Sequence, residues 1–497
     1  MVQISSRLLA ALMPVLLLGC TVGPDYQAAP APAVDRFTES SLPDKTVSAT
    51  GAGGAAQHFV AGQDIPGDWW TAFHSPQINA LVAKALAANP DLIAAQATLR
   101  EAQQNMRAEQ GALFPKLTAN LTTNRQRESL AAVGFGKGST TFSTYTGSLG
   151  VSYTLDAFGG IQRQVEQLGA QADFQRFERD ATELTLTANV VAAAIRVASL
   201  QAQVDTTQDI IRNYTRAVDL TQKRFALGGV SRVDVLQQQT LRDAELATLP
   251  GLQKQLTQQR NQLAIYLGHR PSDADLPTLN LAQLILPTDL PVSLPSKLVE
   301  QRPDIQAYAA LVHAASAGVG VATANMLPQI NLTGSYGRSS NTVPNLFTPD
   351  GIIWSLASGL VQPIFDAGTL RAKRSAAQDA YAVAAAQYSS TVNVAFQNVA
   401  DSLVAIERDA ETLQATEQSE QTAATSLTVV QAQYREGGTT YLSVLTAEQA
   451  EQNARLALVA AQAARFTDTV ALFQALGGGW WNRSDVEKPA TCCGVTP

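Results

Sequence analysis

Apolar residues recur every seven positions through one long stretch of the chain: Val190, Val197, Val204, Ile211, Val218 and Phe225. A strict seven-residue period keeps one seam toward a partner helix and implies a left-handed supercoil. The stretch 160–226 holds no proline. The spacing therefore predicts one helix, roughly 100 Å long at about 1.5 Å per residue, where ordinary helices run about 10–14 residues. Gly228-Gly229 predicts a tight turn, and a second long helix follows to Leu267. A shift of 209 positions repeats the pattern: Val399, Ile406, Leu413, Glu420, Leu427 and Tyr434, with Glu420 as the one polar departure. The turn recurs as Gly437-Gly438, and Leu267-Gly268 recurs as Leu476-Gly477. The chain reads as two copies of one unit.

A second pattern precedes each long pair. Residues 77–88 read as a short helix. Pro90-Asp91 opens a longer one with a seam of Leu92, Leu99, Met106 and Leu113, closed by Pro115. A shift of 213 positions gives Pro303-Asp304, then Ile305, Val312, Val319, Met326 and Pro328. After each closing proline the period falls to two. Residues 117–127 put Leu117, Ala119, Leu121 and Thr123 on one face, and 144–155 put Tyr145, Leu149, Val151, Tyr153 and Leu155 on one face. The second copy gives strands at 330–339 and 353–365. Loops rich in glycine, serine and threonine join them at 129–143 and 340–351. Asp156 and Asp366 stand where each second strand gives way to a long helix, the position of an N-terminal cap.

Each copy thus contributes one β-hairpin inside a helical framework. Four strands cannot close a barrel, and open edges with an apolar outer face are untenable in water. In a bilayer only helices and closed barrels satisfy the backbone. The four strands must then be completed by other chains. A small sheet buried under helices would read as continuously apolar, whereas these strands alternate.

Composition narrows the class. Among 497 residues the charged fraction is 15%, low for a coiled-coil rod, and the net charge of −7 argues against nucleic acid as a partner. After the N-terminus no run reaches the roughly 18 apolar residues of a membrane-spanning helix. The cysteines are Cys20, Cys492 and Cys493, none inside the repeats, so no disulfide framework or zinc site supports the fold. The histidines lack metal-ligand spacing, and no metal or other cofactor is expected. No HExxH, GxSxG or Walker loop occurs, and Gly318-Val319-Gly320 lacks the third glycine of a dinucleotide loop. An enzyme is not expected, and no residue is singled out as catalytic.

Residues 1–19 read as a signal peptide, with Arg7 ahead of an apolar core at 8–18. Its end, Leu17-Leu18-Gly19-Cys20, resembles a bacterial lipobox, which makes Cys20 the lipidated first residue of the mature chain. Thr21 in place of an aspartate then implies sorting to the outer membrane. The remaining boundaries predicted are a mostly extended arm at 20–67, repeat 1 at 68–268, a proline-rich linker at 269–297, repeat 2 at 298–477 and a tail at 478–497. Within repeat 1 the hairpin takes 117–155 and the long helices 160–267. Within repeat 2 the corresponding segments are 329–365 and 368–476.

Several pieces together resemble one family, the TolC-like outer membrane factors, specifically the lipoproteins paired with resistance-nodulation-division pumps. They are Cys20-Thr21-Val22-Gly23-Pro24-Asp25-Tyr26, Trp69-Trp70-Thr71-Ala72-Phe73, Asn89-Pro90-Asp91-Leu92, the two Asp-Ala junctions, Tyr434-Arg435-Glu436-Gly437, and Ala475-Leu476-Gly477-Gly478-Gly479-Trp480. The resemblance covers nearly the whole mature chain. It implies a mainly α fold with a membrane β-barrel. The chain would be internally duplicated, with a long helical periplasmic barrel and four strands per chain that complete a 12-stranded barrel in a homotrimer. It implies an exit duct in the outer membrane, joined through a periplasmic adaptor to an inner-membrane pump.

The same resemblance implies a gate after the second turn, at Tyr434, Leu442, Ser443 and Thr446, with Gly228, Gly229, Gly437 and Gly438 as the periplasmic tips. Ser443 and Thr446 depart from the acidic residues that relatives carry, which argues against a cation-binding ring there, although Asp234 in the first copy would supply charge nearby. Two other functions compete. A lipid-anchored periplasmic scaffold explains the coiled-coil seams but not four alternating strands, and a diffusion porin explains strands but not helices of roughly 100 Å.

Overall fold

The computed structural model of the protein describes residues 21–28, 30, 32, 34, 36–129, 131, 136–273 and 275–483. In chain order the first half contains β1 (His58–Ala61), α1 (Pro76–Ala88), α2 (Pro90–Gln110), β2 (Lys116–Ser129), β3 (Ser139–Leu155), α3 (Gly160–Ala226) and α4 (Arg232–Tyr266). The second half contains β4 (Asp289–Val292), α5 (Pro295–Gln301), α6 (Pro303–Ala324), β5 (Gln329–Ser340), β6 (Ile352–Val361), α7 (Thr369–Arg435) and α8 (Tyr441–Ala475). The chain is mainly helical and internally duplicated. Helices α3 and α7 each have 67 residues, and α4 and α8 each have 35.

Local chemistry sets the helix ends. Pro76 and Pro303 open α1 and α6, where a missing amide costs nothing. The Asn89 side-chain oxygen accepts from the amides of Asp91 (2.9 Å) and Leu92 (3.1 Å) at the start of α2. Along the seams, Val190, Val197, Val204, Val218, Val399, Ile406 and Leu413 are buried. Ile211, Glu420, Leu427 and Tyr434 are half-buried, and Phe225 is exposed. The seam therefore loosens as α3 and α7 approach their turns.

The chain divides into two compact units. One takes in the described residues of Met1–Ala29, with Thr98–Arg176 and Ala307–Ser389. It holds a four-stranded antiparallel sheet of order β2-β3-β5-β6. The segment just after residue 20 is fastened within this unit. The Val22 amide donates to the Phe158 carbonyl (3.2 Å), and Arg163 donates to the Val22 carbonyl (3.1 Å) while pairing with Asp25 (2.6 Å). Tyr26 stacks on His313 with ring centroids 4.4 Å apart.

The other unit takes in the described residues of Pro30–Ala97, Phe177–Gln306 and Ser390–Pro497. Its aromatic core sets Trp69 against Phe473 (5.2 Å) and Phe73 beside Phe466 (6.4 Å). Arg465 lies in this core, 1% exposed. Its guanidinium donates to the carbonyls of Ile406 (2.7 Å), Ala55 (3.3 Å) and Gly53 (3.4 Å) and to the Thr46 hydroxyl (3.4 Å). One α8 side chain thus pins the arm loop at residues 46–55.

The structure adds to the sequence expectations at several points. The mostly extended arm and the proline-rich linker meet: β1 from the arm pairs in parallel with β4 from the linker, His58 opposite Asp289. The linker's boundary at 297 falls inside α5, so repeat 2 begins earlier than 298. Strand β6 stops at Val361, two residues before Pro363, not at 365, because proline has no amide for a ladder. Finally, α3, α6 and α8 each contain an 18-residue window of mean hydropathy 1.3, long and apolar enough to cross a membrane by length and composition. The windows are 61%, 44% and 44% buried inside the chain, so much of that apolarity serves helix packing.

Candidate functional site

The sheet has two chemically distinct faces, and its register fixes them. Directly opposed residues share a face. Leu117 pairs with Val151, Val151 with Gly334, and Gly334 with Leu356. The next row runs Ala119, Leu149, Tyr336 and Trp354. Leu155, Ile330 and Leu360 make another. This face is apolar, and it is bare in the single chain: Leu121, Trp354 and Leu356 are 83%, 74% and 82% exposed. The opposite face carries Thr118, Asn120, Thr146, Ser148, Asn331, Thr333, Ser335 and Ser355. Hydrogen bonds link it across strands, Thr146 to Ser339 (3.0 Å) and Ser335 to Ser355 (2.8 Å). Among the described residues β2 and β6 each pair on one side only, which leaves two open edges.

Asp156 and Asp366 lie in the turns after β3 and β6. Asp156 accepts from the amides of Ile161 (3.1 Å) and Gln162 (2.8 Å), the first turn of α3. Asp366 accepts from Gly368 (3.0 Å) and Leu370 (2.8 Å) at the start of α7. A carboxylate there satisfies free amides and complements the helix dipole.

At the other ends of α3 and α7 stand the glycine pairs. Gly228 and Gly437 have φ of +75° and +77°, and a Cβ on either would meet open space. Gly229 donates to the Arg224 carbonyl (2.8 Å) and Gly228 to Phe225 (2.9 Å). Gly438 to Gln433 (2.8 Å) and Gly437 to Tyr434 (3.1 Å) repeat the arrangement. This is a Schellman end, in which only the first glycine of each pair needs the left-handed backbone. Ser231 and Thr440 then cap α4 and α8, each accepting from the amide three residues on.

The gate candidates cluster beside the second turn. Tyr434 is half-buried, its ring 5.3 Å from that of Tyr441. Leu442 is exposed. Ser443 meets the Thr440 hydroxyl at 3.1 Å, and the Thr446 hydroxyl donates to the Leu442 carbonyl (3.0 Å). Sequence reasoning missed the best-connected side chain here. The Tyr441 hydroxyl donates to Gln238 (2.6 Å) on α4 and lies 3.2 Å from the Thr221 hydroxyl on α3. A tyrosine at the first position of a helix gives no periodic signal for such a tie.

Cys20, Cys492 and Cys493 lie outside the described residues. Among the described residues no group of three or more His, Cys, Asp or Glu side chains is placed to hold a metal ion.

A model of the outer membrane efflux protein family matches residues 81–269 and 294–478. The chain is 31% identical over 482 residues to the antibiotic efflux pump outer membrane protein ArpC of Pseudomonas putida, covering 96% of each chain. Its fold is similar to the open state of the MtrE outer membrane channel of Neisseria gonorrhoeae, with a TM-score of 0.80, 27% identity, and 94% of this chain and 100% of that one covered. It is also similar to the outer membrane protein VceC of Vibrio cholerae, with a TM-score of 0.78, 26% identity, and 84% and 100% covered.

Proposed function

The chain belongs to the outer membrane efflux protein family, and we propose that it forms, as a homotrimer, the gated exit duct through which a tripartite system expels small molecules. It resides in the outer membrane and takes part in efflux. The observation that carries the duct reading is the two-faced sheet with open edges at β2 and β6. Three such sheets joined edge to edge make 12 strands with no edge left, an apolar outside for lipid and a polar inside for water. A lipid-anchored scaffold without transport activity has no use for that face.

The partners in this reading are a periplasmic adaptor at the glycine turns and an inner-membrane pump of the resistance-nodulation-division type. Lipid on Cys20 adds an anchor to the barrel. The chain that follows supports this placement, since Val22 is held against Phe158, three residues past the end of β3. Acyl labelling of cells should mark the protein and miss Cys20→Ala, while the folded trimer persists. Labelling that survives the substitution defeats the lipobox reading.

The glycine turns carry a sharper expectation. Gly437→Val forces a side chain into a left-handed backbone at a cost of roughly 1–2 kcal/mol. Gly438→Ala meets no such demand. The first should raise intracellular drug accumulation several-fold with membrane insertion intact; the second should change neither. If Gly437→Val fails to insert at all, the turn only ends a helix.

Tyr434, Leu442, Ser443 and Thr446 close the tip in this reading, each repeated three times around the axis. Ser443 and Thr446 make the ring neutral, and Leu442 supplies the apolar constriction. Purified trimer in a planar bilayer should conduct rarely. Leu442→Ala with Tyr434→Phe should raise resting conductance and sensitivity to vancomycin without lowering trimer yield. A wild-type channel that is always open identifies a porin, and no conductance under any condition identifies a scaffold. An unchanged double mutant moves the constriction to other residues near the turn.

A further inference from the structure

We propose that Glu448, Gln238 and Tyr441 form a proton-sensitive lock behind the tip, which holds the duct closed while Glu448 is protonated. The proposal rests on the reading of the chain as a channel closed at its tip.

The geometry is a buried polar layer shared by four helices. Gln238 on α4 is fully buried, an unusual place for an amide. Its oxygen accepts from the Tyr441 hydroxyl of α8 (2.6 Å), which also meets Thr221 of α3 (3.2 Å). Tyr441 in turn packs on Tyr434 of α7. Glu448 of α8 lies against the amides of Gln238 on α4 and Gln431 on α7, and Gln452 of α8 against the Tyr214 hydroxyl of α3, so all four helices meet in this layer. Tyr214 of α3 is 2% exposed beside them. Buried polar groups of this kind are held by one another rather than by water, so parting the helices breaks the layer as a unit.

Burial is the main reason the Glu448 carboxyl holds its proton more tightly than an ordinary glutamate, and Glu451 adds to it; Gln238 and Gln431 oppose. The charged groups around the layer are Glu451 and Arg455 on α8, Asp234 and Glu245 on α4, and Glu420 on α7. Arg455 is the one cation in this set, and its partner is Glu451 at 3.7 Å. Acids outnumber it, so no nearby charge stabilises an ionised Glu448.

The sign follows from linkage. In the closed layer Glu448 binds its proton more tightly than it does once the helices part and water reaches it. Closure is therefore favoured below the ordinary carboxylate range and weakens as pH rises through the raised value. At the limit, each Glu448 released shifts the closed-to-open ratio about tenfold per pH unit. Parting the helices also costs the Tyr441 hydroxyl its bond to Gln238, so the proton and the tie are lost together.

The test is single-channel recording of purified wild-type trimer from about pH 5 to about pH 8, a range that begins near the ordinary carboxylate value. Open probability should rise with pH. Glu448→Gln, which is neutral at every pH, should stay closed and lose the dependence. Tyr441→Phe should open more often at all pH values and keep the dependence. Gel filtration and circular-dichroism melting of each variant confirm that the trimer is intact. A flat wild-type profile overturns the lock, and so does an unchanged pH response in Glu448→Gln. Absence of conductance in every form overturns the channel reading itself, and the lock with it.

Discussion

Replacing Leu356 with arginine is expected to remove most of the protein from the outer membrane. Leu356 sits mid-strand in β6 on the apolar face, opposite Gly334, and is 82% exposed. In the proposed barrel that exposure faces lipid. An arginine near the midplane of a barrel's lipid face costs about 2–4 kcal/mol, and a homotrimer carries three. The total, about 6–12 kcal/mol, is comparable with the whole stability of a domain. Membrane fractionation should show the trimer band reduced at least tenfold, with monomer degraded or left in the periplasm. The matched control is Thr333→Arg, on the polar face opposite Ala357. That side chain enters the water-filled interior, so insertion should survive and ion selectivity should shift. Equal yields for the two variants would mean that the apolar face is not in lipid.

Removing Arg465 should loosen the second unit. The side chain is buried and donates to three carbonyls and one hydroxyl. Arg465→Ala strands those acceptors and empties a large volume, at a cost of about 3–5 kcal/mol. The arm loop should detach first, because the Arg465 bonds to Gly53, Ala55 and Thr46 are lost together. Limited trypsin digestion should then cut after Lys45 many times faster than in wild type, and the melting temperature should fall by several degrees. Unchanged protection at Lys45 would show that Arg465 is a spectator.

The neighbouring Asp468 makes this region pH-dependent. Burial, followed by Asp409, pushes its carboxyl up to about 7. The folded chain therefore binds a proton that the unfolded chain releases at an ordinary carboxylate pKa. The stabilisation is complete below that ordinary value and fades as pH rises through about 7. Melting should be higher at mildly acidic than at mildly basic pH, and Asp468→Asn should flatten the difference.

What was legible in the sequence was whatever repeats. The heptads of α3 and α7, the prolines that open α2 and α6, and the period-two strands are local signals. The two first-copy strand readings also named the apolar face, because the register puts Leu117, Leu149, Val151 and Tyr153 on that side. What was hidden depends on contacts far apart in the chain. The four residues of β1 and the four of β4 are too short for a period, and Pro291 masks β4 further. Arg465 reads as one more charge on a helix until the arm folds over it. Gln238 looks like a solvent-facing residue, because nothing nearby in sequence says that Tyr441 meets it. Gly228 and Gly437 are the members of each pair with positive φ. Composition cannot distinguish Gly228, which needs its freedom, from Gly229, which does not.

The matched helix lengths, 67 with 67 and 35 with 35, carry a consequence for how such a chain can change. Each helix acts as a ruler for the others. Deleting one residue from α3 would rotate the rest of its seam by about 100° and lose the packing. Deleting a block of seven would keep the seam in phase but pull its turn back by about 10.5 Å relative to that of α7. The two turns would then no longer reach the same depth. Length is free to vary only in whole heptads, removed or added in α3, α4, α7 and α8 together. A shortened protein built that way should still assemble, and one trimmed in a single half should not.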